Sequence, residues 1–187
     1  MSEIQKVSII DFKTDSGALY KSIDLFFQHF GKDYNKAPVV LVNHSLTGDS
    51  NVSGNKGWWS GIIGPGMTIN TDYYSVLAFN IPGNGFKGSQ IKKHDDFHTG
   101  DIARLFFEGL KILGITELFA IIGGSIGGSI VWEMGALYPS FSKYLIPVAS
   151  DWKASDWIIA NTFLQKRILK NSSKPLEDAR IHAMLTY

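Results

Sequence analysis

Cysteine is absent from the 187-residue chain, which rules out disulfides, thiolate metal sites and a cysteine nucleophile. Long apolar runs are missing too: no stretch approaches the roughly 18 residues that a membrane-spanning helix needs. The first ten residues lack the basic-then-apolar order of a secretory leader. Neither sign of charge dominates, since 18 basic residues face 17 acidic ones, and the lysines and arginines are too scattered to neutralise a line of phosphates. Nucleic acid and membrane are therefore not expected partners, and a soluble cytoplasmic protein is the expectation. Internal repeats and low-complexity tracts are lacking as well. What is present is apolar: 44% of the residues are hydrophobic, enough at this length to bury one sizeable core.

Lys6 to Phe12 alternates as a strand does, and Leu19 to Phe30 carries Leu19, Ile23, Leu25 and Phe27 at odd spacing, so an N-terminal hairpin is expected. Four short continuous apolar runs follow, at 38–42, 75–79, 118–122 and 144–148, the pattern of strands buried on both faces of a parallel sheet. Between them lie two helical periods. Ile102, Leu105, Phe106, Gly109, Leu110 and Leu113 form one apolar stripe that ends at Gly114, a C-terminal cap. Ile126, Ile130, Met134 and Leu137 share a face of the second, which stops before Pro139. This alternation predicts an α/β domain with a mostly parallel, doubly wound sheet over residues 1–150. From 151 to 187 no strand signal returns. Trp157, Ala160, Leu164 and Ile168 begin a helix, and a second follows Pro175, as in a helical lid or cap.

Gly123-Gly124-Ser125-Ile126-Gly127 fits Gly-x-Ser-x-Gly and lies between an apolar run and a helical pattern, the context of a nucleophile elbow. A serine at so sharp a turn takes a strained backbone, and side chains two positions to either side would collide, hence the glycines. The helix N-terminus beneath it offers free N–H groups to an oxyanion. The alternatives are a plain tight turn or a phosphate-binding loop. Ser129-Ile130 does not supply the Gly-Lys-Ser/Thr of a P-loop, and the spacing of a dinucleotide fingerprint is not met.

The run 39–42 leads into Asn43-His44-Ser45-Leu46-Thr47-Gly48-Asp49, then Gly57-Trp58-Trp59, Gly64-Pro65-Gly66 and Thr71-Asp72-Tyr73-Tyr74. With Gly123 to Gly128 and Tyr138-Pro139, this ordered set resembles the homoserine O-acetyltransferase family of the α/β-hydrolase superfamily, over roughly Asn43 to Leu169. The resemblance implies the α/β-hydrolase fold, Ser125 as nucleophile, and the backbone N–H groups of Leu46 and Ile126 as oxyanion hole. It implies ping-pong transfer of an acetyl group from acetyl-CoA, as a donor substrate and not a resident cofactor, to the hydroxyl of homoserine in methionine biosynthesis. No metal is implied. Succinyl donors, serine as acceptor and oligomeric state, a homodimer included, stay open.

Two segments depart from the family pattern. Asn80-Ile81-Pro82-Gly83-Asn84-Gly85-Phe86-Lys87-Gly88-Ser89 is closer to the Asn/Asp-x-Pro-Gly-x-Gly of general α/β hydrolases, which keeps a serine esterase as the alternative. Gln165-Lys166-Arg167 stands where relatives carry an arginine, and neither cation is assigned a substrate role. The Trp58-Trp59 pair is read first as core cover and second as an acyl-pocket wall.

A serine hydroxyl also needs a histidine base held by a carboxylate, in the chain order Ser, Asp or Glu, His. Only 62 residues follow Ser125, with a single histidine, His182, inside a predicted helix. His44 is read as a loop-orienting side chain, His94 and His98 as solvated or capping residues, and His29 as the close of the hairpin. Asp72 is expected to cap a turn. Asp151 stands where some hydrolases place the triad acid, and equally where the next helix would be capped. The chain therefore lacks a complete triad, as the first part of a longer enzyme or as a shortened relative without catalysis.

Overall fold

The computed structural model describes residues 2–86, 91 and 93–185. The end of the Asn80 to Ser89 segment, from Lys87 on, and residues 186–187 lie outside the described residues. Two compact units make up the chain, one running to Trp152 and one starting at Lys153.

The first unit opens with the expected hairpin, β1 (Ile4–Lys13) and β2 (Leu19–Gly31), antiparallel with Ile9 opposite Ile23. Strands β3 (Val39–Asn43), β6 (Ser75–Phe79), β7 (Leu118–Gly124) and β8 (Ser142–Val148) follow, with a two-residue pair β4 (Ile63–Gly64) and β5 (Ile69–Asn70) between β3 and β6. The main sheet runs β1-β2-β6-β3-β7-β8, and the last four strands in that order are parallel. Helices α1 (Thr99–Ile112) and α2 (Ile126–Leu137) connect β6 to β7 and β7 to β8.

Chain direction decides which face each connection covers. From β3 the chain steps towards β2 to form β6, then reverses, crossing β3 to form β7 and continuing to β8. Right-handed crossovers in opposite directions land on opposite faces. Accordingly α1 and α2 bury Leu105, Phe106, Leu110, Ile130 and Met134 against Leu41 and Leu77 on one face. The excursion from β3 to β6 covers Val40, Val42, Val76 and Ala78 on the other, with Val52, Ile63 and Trp59. The sequence suggested helices on both faces; in this unit both helices share one face and an irregular segment covers the second. Alternate residues of β3 and β6 thus enter different cores, which explains runs that are apolar throughout.

β8 differs from expectation. Its apolar run was expected to be buried, yet Tyr144, Leu145, Ile146 and Val148 are each about two-fifths to one-half exposed. It is an edge strand of the sheet, paired among the described residues with β7 on one side. In α2 the buried face is Gly127, Ile130, Val131 and Met134, whereas Leu137 is exposed.

α1 ends as predicted. Gly114 has φ 76°, its N–H donates to the Lys111 carbonyl, and the Ile115 N–H donates to the Leu110 carbonyl, a Schellman arrangement. Gly114→Ala is expected to lower stability by about 1 kcal/mol, read as a shift in the urea midpoint, because the left-handed conformation strains a Cβ that has no clash to explain the loss otherwise.

The second unit holds α3 (Asp156–Asn171) and α4 (Pro175–Met184). Ser155 caps α3, its hydroxyl accepting from the Ile158 N–H at 3.3 Å, which excludes Asp151 from that role. The Gln165 amide donates to the Ala179 carbonyl at 3.0 Å and meets His182 Nδ1 at 2.9 Å, so His182 is engaged between the two helices. Ala179 is the sole residue of these two helices that is buried, among the described residues.

Candidate active site

Neighbouring strands β3 and β7 send their connections to opposite faces, and such a switch point opens a crevice beyond the strands' carboxyl ends. Asn43, the last residue of β3, pairs with Gly123 of β7. The loop after Asn43 and the turn after Gly124 therefore meet there.

The turn is a nucleophile elbow in geometry. Ser125 has φ 55° and ψ −122°, one of three described non-glycine residues with positive φ. Its N–H donates to the Val148 carbonyl at 3.0 Å, and its carbonyl accepts from the Gly128 and Ser129 N–H groups as α2 begins. The side chain is exposed, and its hydroxyl has no hydrogen-bond partner among the described residues. The glycines are required by the backbone around them. A Cβ on Gly123 would run into the Gly127 carbonyl, and one on Gly127 would strike the carbonyl oxygen of Asn43 and stand 2.7 Å from that of His44. Gly128 is equally confined, with Ser150 Cβ at 2.5 Å.

Two N–H groups proposed from the sequence for the oxyanion are unspent. Among the described residues, neither the Leu46 nor the Ile126 N–H has an acceptor. Ile126 opens α2, where the helix adds partial positive charge. Leu46 lies in a turn closed by the Gly48 N–H on the Ser45 carbonyl at 2.9 Å, and its side chain is 72% exposed.

Of the two tryptophans, Trp59 takes the core-covering role. Trp59 packs on the core that covers the second face, and its Cζ2 lies 3.8 Å from where a Gly124 Cβ would stand. Trp58 is more exposed, with Nε1 donating to the Asp49 carbonyl at 2.9 Å.

His44 is fully buried, with Nδ1 2.7 Å from the Ser45 carbonyl and Nε2 accepting from the Ile81 N–H at 2.9 Å. Burial pushes its pKa below the ordinary histidine value of 6.5, against the opposing pull of the Ser45 carbonyl and the Asp49 charge. A ring with a lower pKa folded than unfolded binds fewer protons in the folded state, so its contribution is intact above about pH 6.5 and is lost as pH falls below that. His44→Gln is expected to flatten this part of the stability profile, which for one group cannot exceed about 1.4 kcal/mol per pH unit. Urea midpoints at about pH 7.5 and about pH 5.5 check it.

No acid–base pair completes the site among the described residues. Asp151 is exposed and accepts from the Trp152 N–H at 2.8 Å. Asp72 does not cap its turn through its side chain as expected: the Asn70 carboxamide accepts from the Gly66 and Asp72 N–H groups instead. Asn70 precedes the turn at 71–73, and since asparagine and aspartate cap equally well the sequence does not say which of the two does so. His98 opens α1, with its N–H donating to Asp101 at 2.9 Å. His94 is exposed beside Asp95, and His29 bonds the Lys32 carbonyl and Ser75.

A family model described as alpha/beta hydrolase fold matches residues 38–177, three-quarters of the sequence. The chain belongs to the α/β-hydrolase fold family. Within it, the chain is similar to homoserine O-acetyltransferase of Methanocorpusculum labreanum, 34% identical over an alignment 160 positions long that covers 75% of this chain and 32% of that protein. The enzyme of the same name from Corynebacterium glutamicum is 32% identical over an alignment 184 positions long that covers 90% of this chain and 48% of that one. The crystal structure of homoserine O-acetyltransferase from Staphylococcus aureus superposes with a TM-score of 0.84 at 25% identity, over 99% of this chain and 58% of that one. Esterase E22 superposes with a TM-score of 0.81 at 23% identity, covering 93% of this chain and 54% of its own, a likeness of fold. The chain thus spans about a third to a half of the length of these curated relatives. Among the described residues no helix of this α/β-hydrolase chain is long and apolar enough to cross a membrane.

Proposed function

We propose that the chain carries the acyl-accepting part of an acyltransferase like homoserine O-acetyltransferase, acting in the cytoplasm in methionine biosynthesis. Ser125 Oγ attacks the thioester carbonyl of acetyl-CoA, the C–S bond breaks, and CoA leaves as the thiol once protonated. The homoserine hydroxyl then attacks the acetyl-serine ester, and O-acetylhomoserine departs as Ser125 regains its proton. The negative oxygen of each tetrahedral intermediate is met by the Leu46 and Ile126 N–H groups.

The observation that carries this reading is the exposed Ser125 hydroxyl at a left-handed strand-to-helix turn, which Ile126 follows directly and which meets the loop after Asn43 that holds Leu46; among the described residues neither of these two N–H groups has an acceptor. The similarity to homoserine O-acetyltransferases supports the choice of donor and acceptor. Each proton transfer requires a base that the described residues do not supply, so the chain alone is expected to be inactive or very slow. A serine esterase on the same fold is the second reading, favoured by Ile81-Pro82-Gly83-Asn84-Gly85.

Added imidazole can stand in for the absent base. With acetyl-CoA and imidazole present, homoserine is expected to accelerate loss of the acetyl group and to appear as its O-acetyl ester. Deacylation at the same rate without homoserine would favour the esterase, and an unacetylated Ser125 would overturn the acyltransferase reading.

A further inference from the structure

The turn that carries Leu46 lies at the surface, yet both of its ends are anchored in the interior. At one end stands His44, fully buried. A backbone N–H can only donate, so the nitrogen receiving the Ile81 N–H, Nε2, is unprotonated, and the ring proton sits on Nδ1 facing the Ser45 carbonyl. At the other end stands Ser50, also fully buried. Its N–H donates to Asn80 Oδ1 at 3.0 Å, and its hydroxyl accepts from Asn80 Nδ2 at 2.9 Å while donating to Gln28 Oε1 at 2.8 Å. Asn80 and Ile81 are consecutive, so both anchors end on the same two residues after β6. From the opposite side, Gly127 packs against the carbonyls of Asn43 and His44. Inside the turn the Gly48 N–H donates to the Ser45 carbonyl, and the Asp49 carbonyl accepts from Trp58 Nε1 at 2.9 Å.

An oxyanion donor lowers a barrier only if it already points at the developing charge, because ordering a free turn during the reaction would consume the gain. Both ring nitrogens of His44 are committed, so the ring cannot take the Ser125 proton without releasing Ile81. We propose that His44 is a positioning residue: with Asn80–Ser50 as second anchor, its Nε2 bond to the Ile81 N–H fixes the direction of the Leu46 N–H that receives the acyl oxyanion. The purpose given to this clamp rests on the acyl-transfer reading; the clamp itself does not.

Two variants separate the acceptor from the ring. The carboxamide of glutamine reaches the place of Nε2 and can still accept from Ile81, whereas that of asparagine reaches only the place of Nδ1. The backbone order parameter of the Leu46 N–H, measured by nuclear magnetic resonance on the chain alone, is expected near the rigid value of about 0.85 in the wild type and in His44→Gln. In His44→Asn it should fall to about 0.6 or lower. Amide exchange at Ile81 should rise about fivefold or more in His44→Asn and stay within about twofold in His44→Gln. Equal loosening in both variants, or none in His44→Asn, would overturn the proposal. Should either variant fail to fold, the wild-type ring decides: ¹⁵N shifts with the proton on Nδ1 support the clamp, and a proton on Nε2 excludes it. None of these readouts uses acetyl-CoA, so a failure of acylation at Ser125 would count against the function and leave the clamp standing.

Discussion

Gly127→Ala is expected to cost the fold about 3 kcal/mol or more, seen as a fall in the urea midpoint at unchanged slope. The added methyl group would meet the backbone carbonyls of Asn43 and His44. Asn43 ends β3, where it is paired with Gly123, and His44 follows it directly, so both obstacles are backbone and no flexible side chain can swing aside. The helix propensity gained by removing a glycine, about 1 kcal/mol, is too small to offset that collision. Gly61→Ala is the control, since a Cβ there meets nothing within 4 Å, and it should change stability by no more than about 0.5 kcal/mol. A Gly127→Ala chain as stable as the wild type would mean that the loop after β3 and the elbow are not in contact.

Ser125→Gly should leave the chain more stable and without acyl-transfer capacity. Holding a non-glycine residue at φ 55° and ψ −122° costs on the order of 1–3 kcal/mol, and glycine relieves most of it at some expense in unfolded-state entropy. A net gain of about 1 kcal/mol is expected. Ser125→Ala keeps the Cβ and hence the strain, so its stability should stay near that of the wild type. Both variants remove the attacking oxygen, and acetyl transfer measured with imidazole should fall by about a thousandfold or more in each. A Ser125→Gly chain no more stable than Ser125→Ala would contradict the strained elbow even if both were inactive.

Much of this architecture is legible in the residues because each element states its own burial. The runs at 39–42 and 75–79 are apolar at every position since alternate residues enter different cores, and the stripe from Ile102 to Leu110 marks the face of α1 that covers one of them. The elbow is legible because its glycines answer to local backbone geometry. The exposure of β8 is not, since Tyr144 to Val148 reads the same whether or not another layer lies beyond it. Nor does periodicity tell which face an irregular segment covers, so the placement of Val52, Trp59 and Ile63 over the second face follows from strand order alone. Of the clamp on the Leu46 turn, the sequence marks only His44, by its place in the loop after β3, while Ser50 and Asn80 are ordinary residues joined across 30 positions. Polar pairs this distant leave no spacing signal.

Ser125 is proposed to take up an acyl group at a site for which the described residues supply neither the histidine base nor its carboxylate partner. Peptide-level mass spectrometry of the chain after treatment with acetyl-CoA, with and without imidazole, tests it most directly. The account predicts acetyl on the peptide containing Ser125 in the presence of imidazole, little without it, and none at that position in Ser125→Ala. Acetyl spread over lysines in the same pattern for both chains, with Ser125 unmodified, would contradict it.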